Sequence, residues 1–276
     1  MIIKVASHSG YCFGVKKAVE IAEKTAAEAG KKKVYTYGPL IHNKQAVSML
    51  EKSGIIEISD LSKIHGEKVI FRSHGVGKDV YDYCNLNNIE IIDATCPYVK
   101  KIHDLVHTHY NDGYDIYIVG SKDHPEIIGI NGWCENNAVI VSDDLKVDFG
   151  DLEKAIVVAQ TTITEKLFDD ATDIIKNKYK NLLVFNTICS ATRNRQKSSI
   201  ELAKQVDMMI VVGGKHSSNT QKLYNICLEH CKNTVHIETV EELMMTEVKK
   251  YDKIGITAGA STPGFIIKEI INKSEN

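Results

Sequence analysis

The chain lacks every compact cysteine signature. None of its seven cysteines (Cys12, Cys84, Cys96, Cys134, Cys189, Cys227 and Cys231) stands in a C-x-x-C pair, so zinc ribbons and thioredoxin-type redox pairs are excluded. No apolar run approaches the roughly 20 residues of a membrane span, and the opening MIIKVASHSG has no h-region of a secretion signal. Cysteines in such a chain are poor disulfide candidates, and the expected compartment is the cytoplasm. Charge of one sign is missing too. The 34 basic residues balance 36 acidic ones for a formal charge of −2, which argues against the basic face that wraps nucleic acid. Neither G-x-x-x-x-G-K-[ST] nor G-x-G-x-x-G occurs, so no nucleotide, flavin or nicotinamide site is marked.

What is present is a repeat. Three cysteines share one setting, an apolar run, a short polar turn, the cysteine and then an amphipathic helical stretch. The segments are IIKVASHSGYCFGVKKAVEIAEK around Cys12, IEIIDATCPYVKKIHDLVHTHY around Cys96 and LLVFNTICSATRNRQKSSIELAKQ around Cys189. The fourth residue after each is basic: Lys16, Lys100 and Arg193. Downstream, YTYGPLIHN, IYIVGSKDHPE and MIVVGGKHSSN each place a polar residue four positions after a glycine, namely His42, His124 and Ser217. A third unit, VIFRSHGV, IVVAQTTIT and KIGITAGAST, presents His74, Thr161 and Ser261 in its turn. Nine strand–turn–helix units in three sets of three follow. The expected fold is α/β, with three pseudo-equivalent sub-domains of mainly parallel sheet around a central cavity into which the turns face. The approximate thirds are 1–95, 96–188 and 189–276, packed as one compact body with no Pro/Gly-rich linker, and NKSEN reads as a frayed tail.

The chemistry of the three cysteines follows from their place. A thiol at a turn leading into a helix meets backbone N–H groups and the positive helix end, which favour the thiolate, and the basic residues add to that field. Three soft donors from three sub-domains suit an iron–sulfur cluster with one iron left open. Zinc on three cysteines and a histidine is the competing arrangement, as in a zinc hydrolase or lyase, and a non-catalytic cluster that senses oxygen is another. Cys84, Cys134, Cys227 and Cys231 read as small core residues.

His42, His74, His124, Thr161, Ser217, Ser218, Asn219 and Ser261 form a set of short polar side chains at helix starts. The Ser, Thr and Asn among them are, taken singly, ordinary N-cap residues. Several helix N-termini aimed at one cavity make an anion site instead, and a small diphosphate ester is the natural guest. Glu126, following Pro125 in HPEIIGI, is the carboxylate within this set. Near a diphosphate and an anionic cluster its pKa should rise, suiting it to proton delivery. The other histidines, His8, His65, His103, His107, His109, His216, His230 and His236, read as surface or satisfied core residues, with the H-x-x-x-H-x-H run at 103–109 on a solvated face.

Together GYCFGVKKAVE, YGPLIHN, RSHGV, DATCPYV, DHPEIIGI, QTTIT, NTICSATRNRQ, GGKHSSNT and TAGASTPG resemble the 4-hydroxy-3-methylbut-2-enyl diphosphate reductase family, in order, from about Ile3 to Ile271. The resemblance implies a three-lobed α/β fold and one oxygen-sensitive 4Fe–4S cluster on Cys12, Cys96 and Cys189. It implies reductive removal of the allylic hydroxyl at the open iron, as water, giving isopentenyl and dimethylallyl diphosphate in the last step of the non-mevalonate isoprenoid pathway. It makes Glu126 the proton donor, Thr161 its orienting partner and His124 a neighbour of the substrate. His42, His74, Ser217, Ser218, Asn219 and Ser261 would hold the diphosphate. An external electron donor such as ferredoxin or flavodoxin is implied, and a monomer is expected.

Overall fold

The structure, a computed structural model, describes residues 1–30, 32–149 and 153–275. The strands are β1 (Ile2–Val5), β2 (Val34–Tyr37), β3 (Ile55–Ile58), β4 (Lys68–Phe71), β5 (Glu90–Asp93), β6 (Asp115–Val119), β7 (Val139–Val141), β8 (Lys154–Ala159), β9 (Asn181–Val184), β10 (Met208–Val212), β11 (Thr234–Ile237) and β12 (Lys253–Ala258). The helices are α1 (Phe13–Ala29), α2 (Lys44–Lys52), α3 (Lys78–Leu86), α4 (Pro97–Asn111), α5 (Pro125–Asn131), α6 (Glu165–Lys176), α7 (Ser190–Ala203), α8 (Ser218–His230), α9 (Met245–Val248) and α10 (Gly264–Glu275).

The strands form three four-stranded sheets, ordered β1-β12-β10-β11, β3-β2-β4-β5 and β7-β6-β8-β9, with every pairing parallel. The expected α/β class with three equivalent parallel-sheet sub-domains holds. Strands that end at a glycine (β2, β6, β10) and those of the third turns (β4, β8, β12) fill the centre of each sheet. Strands leading to a cysteine (β5, β9, β1) lie at one edge, each beside a third-turn strand. The chain start thus supplies the edge of the sheet built from β10, β11 and β12. Where the sequence reading counts nine strands, the structure adds β3, β7 and β11 at the opposite edges. They span three or four residues each, too few to show a period, and none is flanked by a reactive turn.

Burial explains the composition of the strands. β10, MMIVV, is buried along its whole length, and β6 and β8 nearly so, as central parallel strands covered on both faces must be. Edge strands β1 and β9 are largely exposed and carry Lys4 and Asn181. Pro97 and Pro125 open α4 and α5, where the missing N–H costs nothing. Helix α10 runs through Glu275, with Ser274 buried and bonded to Ile270 O. The expected frayed tail is therefore helical, at least through its described residues. Cys84, Cys134, Cys227 and Cys231 are buried, as core residues should be. No helix of the described residues is long and apolar enough to cross a membrane.

Packing divides the chain into two units, one of residues 1–16, 41–48 and 190–276, the other of 17–40 and 49–189. Within the second, two sheets meet through α3, α4 and α5. The Trp133 ring stacks on His103 (centroids 5.2 Å apart) and meets Tyr81 and His107 edge-on. His103 is only 2% exposed, so the solvated face expected for the 103–109 run is not there: its first histidine is a buried wedge. Close backbone approach completes the junction. A Cβ on Gly132 would lie 2.6 Å from Gly77 Cα, and one on Gly129 would lie 3.2 Å from Gly75 O.

Candidate functional site

The three cysteines of the repeat occupy one structural position. Cys12, Cys96 and Cys189 each immediately precede a helix, α1, α4 and α7, and each is partly exposed. Each cysteine N–H donates into the turn after the neighbouring central strand: Cys12 to Ala260 O at 3.1 Å, Cys96 to Ser73 O at 3.0 Å and Cys189 to Thr161 O at 3.1 Å. The same bond in all three sheets is direct evidence of the internal repeat. It leaves the sulfur at the opening of a helix, and Cys12 Sγ accepts from Val15 N–H at 3.5 Å. Lys100, four positions after Cys96, has its Nζ 2.6 Å from Asp93 Oδ2 and is ion-paired with that carboxylate.

Glu126 sits in the first turn of α5 and is 2% exposed. Thr161 N–H donates to its Oε1 at 2.6 Å and Thr161 Oγ1 lies 2.7 Å from its Oε2. The sequence places these residues 35 positions apart, and the sheet brings them together because both follow central strands, β6 and β8. His124 caps α5: its Nδ1 accepts from Glu126 N–H at 3.1 Å. That bond requires an unprotonated Nδ1, so the neutral ring carries its hydrogen on Nε2. His74 meets His124 edge-on, ring centroids 5.6 Å apart. Glu126, Thr161, His124 and His74 are thus one cluster in the second unit.

In the first unit, Ser217 caps α8 by accepting from Thr220 N–H, so the plain capping role fits its hydroxyl. It does not fit Ser261, whose Oγ donates to His42 O at 2.9 Å, three residues before α10 begins. Nor does His42 cap its helix. Asn43 Oδ1 takes Ala46 N–H at 2.9 Å and does that work. Thr161 is likewise free of capping duty, which falls to Thr164. Ser218 is the first residue of α8 and partly exposed. Asn219 is 6% exposed, yet its Nδ2 has no hydrogen-bond partner among the described residues. A buried amide in this state has a donor that a water or a ligand can satisfy.

Two supports escaped the sequence reading. Gln160 is fully buried, its Oε1 accepting from Ser121 N–H at 3.1 Å and its Nε2 donating to Thr162 Oγ1 at 2.7 Å. It ties the turn after β6 to the turn after β8, and so fixes the spacing of His124 and Thr161. Arg195 is 3% exposed and bonded to backbone carbonyls. Both lie inside motifs already singled out, QTTIT and TRNRQ, but a long polar side chain reads as exposed until packing shows otherwise.

The sequence matches the family described as LytB protein over residues 3–275. It is 51% identical to the 4-hydroxy-3-methylbut-2-enyl diphosphate reductase of Alkaliphilus oremlandii, over all of both chains. It is 50% identical to the protein of that name from Thermoanaerobacter sp. (strain X514), over 99% of this chain and 96% of the relative. The solved E-1-hydroxy-2-methyl-but-2-enyl-4-diphosphate reductase of Plasmodium falciparum superposes with a TM-score of 0.93 at 31% identity, covering 100% of this chain and 88% of the other. A second solved structure, described as (E)-4-hydroxy-3-methyl-but-2-enyl diphosphate reductase, the terminal enzyme of the non-mevalonate pathway, gives 0.73 at 39% identity, covering 100% and 99%. Membership implies an iron–sulfur cofactor. Three partly exposed thiols at equivalent helix starts, beside four buried ones, are a donor set that fits it. The chain belongs to the LytB protein family and is an oxidoreductase.

Proposed function

We propose that this chain reduces (E)-4-hydroxy-3-methylbut-2-enyl diphosphate to isopentenyl and dimethylallyl diphosphate, using one 4Fe–4S cluster held by Cys12, Cys96 and Cys189. The observation that carries the cluster assignment is the thrice-repeated cysteine turn, with one backbone bond and one helix start per sulfur. When bound, such a cluster supplies electrons and a Lewis-acidic iron with an open position. The reaction consumes two electrons and two protons and releases water. Electrons come from an external carrier such as ferredoxin or flavodoxin, and the enzyme works as a cytoplasmic monomer.

The protons are the protein's own task. Thr161 N–H can only donate, so Glu126 Oε1 is committed as an acceptor and a proton on the carboxyl belongs on Oε2. At 2.7 Å the Thr161 hydroxyl is the neighbour to which Oε2 can pass it. Burial keeps bulk water from this pair, so the proton goes to the substrate oxygen rather than to solvent. His124 offers its Nε2 hydrogen to the substrate, with His74 beside it. His42, Ser217, Ser218, Asn219 and Ser261 hold the diphosphate, and Asn219 Nδ2 gains there the acceptor it lacks.

The test is Glu126→Gln in protein purified and assayed without oxygen. Turnover should fall by about 10²–10⁴-fold, the usual contribution of a general acid, with iron content and substrate-induced spectral shifts kept. Retained turnover would overturn the assignment of the proton donor. A wild-type protein that binds no iron after reconstitution would overturn the cluster.

A further inference from the structure

Ahead of Leu202 and Ala203, the face that α7 buries is polar rather than apolar. Thr192, Arg195, Ser198 and Ser199, spaced along one side of the helix, are all at most 7% exposed. Ser199 Oγ is 2.7 Å from Thr257 Oγ1 of β12, and Ser198 Oγ turns back to Arg195 O. Burying a charge and three hydroxyls is costly unless each is satisfied by a specific bond, so the position of the arginine fork needs a reason. Its Nη1 donates to Ala258 O at 2.6 Å and to His8 O at 3.1 Å, and its Nη2 donates to Gly10 O at 2.8 Å.

Those carbonyls belong to two segments that the sheet does not pair at that point. Ala258 ends β12, while His8 and Gly10 lie in the loop between β1 and Cys12. Inside the loop Ser9 Oγ donates to Ala6 O at 2.9 Å. Beyond Ala6 N–H, which continues the ladder to Ile256 O, the next backbone bond to β12 or its turn is that of Cys12 itself to Ala260 O. Gly10 takes φ +80°, and a Cβ there would lie 3.1 Å from Ile267 Cδ1 and 3.3 Å from Thr262 O. The loop is therefore pressed against α10 on one side and held by Arg195 on the other. A planar guanidinium that always carries its charge is suited to bridging several carbonyls in fixed directions, and the single ammonium of lysine is not.

We infer that Arg195 is the positioning residue of the Cys12 turn: its guanidinium fixes the loop of His8 and Gly10 against the end of β12 and so sets where the Cys12 sulfur points. The consequence for the cofactor rests on the reading of Cys12 as a cluster ligand, whereas the hold on the turn does not.

The experiment measures both in the full-length chain. Wild type, Arg195→Lys, Arg195→Gln and the control Ser199→Ala are reconstituted anaerobically, and the rate of iron loss to a chelator is recorded. In parallel, alkylation by iodoacetamide without iron is mapped by mass spectrometry at Cys12, Cys96 and Cys189 within each molecule. Both Arg195 variants should alkylate faster at Cys12 alone, by about tenfold, the change that losing one charge-assisted hydrogen bond makes to a local opening equilibrium. Iron loss should quicken in the same variants. Ser199→Ala, which loosens the same helix without touching the loop, should leave the ratio of Cys12 to the other two unchanged. An equal rise at all three cysteines, or none at Cys12, would overturn the inference. So would failure of both Arg195 variants to fold, since a residue that only sets a turn leaves the sheet intact. If wild type holds no iron, the cluster reading falls while the alkylation ratio still decides the role of Arg195.

Discussion

The Cys12 and Cys96 turns place equivalent sulfurs and support them by different means. Between β5 and Cys96 there are only Ala94 and Thr95, whereas Ala6 through Tyr11 separate β1 from Cys12. The short turn is fixed locally. Asp93 ends its strand and accepts from Thr95 N–H at 2.9 Å, from Tyr81 O–H at 2.8 Å and from Lys100 Nζ at 2.6 Å. Below it the His103 ring fills the space beside Gly75, where a Cβ would lie 2.5 Å from His103 Cε1, and Gly75 takes φ +76°. The long turn has no carboxylate of this kind at the end of its strand, where Val5 stands in place of Asp93, and it relies on Arg195 from another helix. What repeats is the part that presents the sulfur: the helix start and the cysteine N–H bond. The scaffolding beneath is free to differ because it need only hold that part still.

The largest effect should test the equivalence itself. Cys12→Ser and Cys96→Ser should each lose the cluster and with it all reductase activity, whereas Cys84→Ser should keep about four irons per chain. Iron and sulfide analysis checks this. Full iron in either of the first two variants would break the comparison at its root.

The next effect should separate the turns by pH. Burial pushes the His103 ring down to about 4, with Asp93 pulling up and Lys100 pushing down, against an ordinary value near 6.5. The unfolded chain therefore takes up a proton at His103 between about pH 6.5 and 4 while the folded chain does not. Stability is present above that window and lost as pH falls through it, by up to about 3 kcal/mol. His103→Phe should flatten this limb in denaturant titrations. An unchanged pH profile would show that the wedge under the Cys96 turn is charged or loose. Asp93→Asn should be smaller. It replaces a half-buried acceptor of three bonds and should cost about 2 kcal/mol at neutral pH, with the iron bound by the variant falling less than its melting temperature suggests.

Much of this was legible before any coordinates. The three cysteines, the glycine-plus-four residues and the third turns each fall at equivalent places because a parallel α/β sheet puts its turns at one end, and a strand–turn–helix string states that directly. Ser217, Thr161 and Glu126 could be picked out for the same reason. Edge strands such as β7 could not, since three residues carry no period and their pairing is decided by the neighbour they find. Nor could the buried supports be read. His103 lies in a polar helical stretch, and its stacking on Trp133, 30 positions away, and its contact with Gly75 take it out of water. Arg195 carries no mark of burial in the sequence, and Lys100 reads as a charge available to Cys96. The structure gives the first to carbonyls and the second to Asp93, and a sequence records neither choice of partner.

Tyr81→Phe offers the finest test of how the Cys96 turn is held. The Tyr81 hydroxyl is kept protonated far beyond its ordinary range, first by burial and then by the Asp93 carboxylate it bonds, so it donates at every working pH. Asp93 itself is pushed upward by burial, but Lys100, Thr95 and Tyr81 outweigh that and leave its pKa below the usual carboxylate value. Such a group adds stability above its unfolded pKa, and the contribution disappears as pH falls through the lower, folded value. Removing one hydroxyl should therefore do two things at once. It should cost about 1 kcal/mol at neutral pH, seen as a melting temperature lower by about 2–4 °C. It should also move the acid limb of Asp93 to higher pH, because one of the bonds favouring the anion is gone. The Cys12 turn, which contains no carboxylate of this kind, should not respond, and its alkylation rate should match wild type. A loss of stability without the shift in the acid limb would mean that Tyr81 supports the turn through its packing on Phe71 and Trp133 rather than through Asp93.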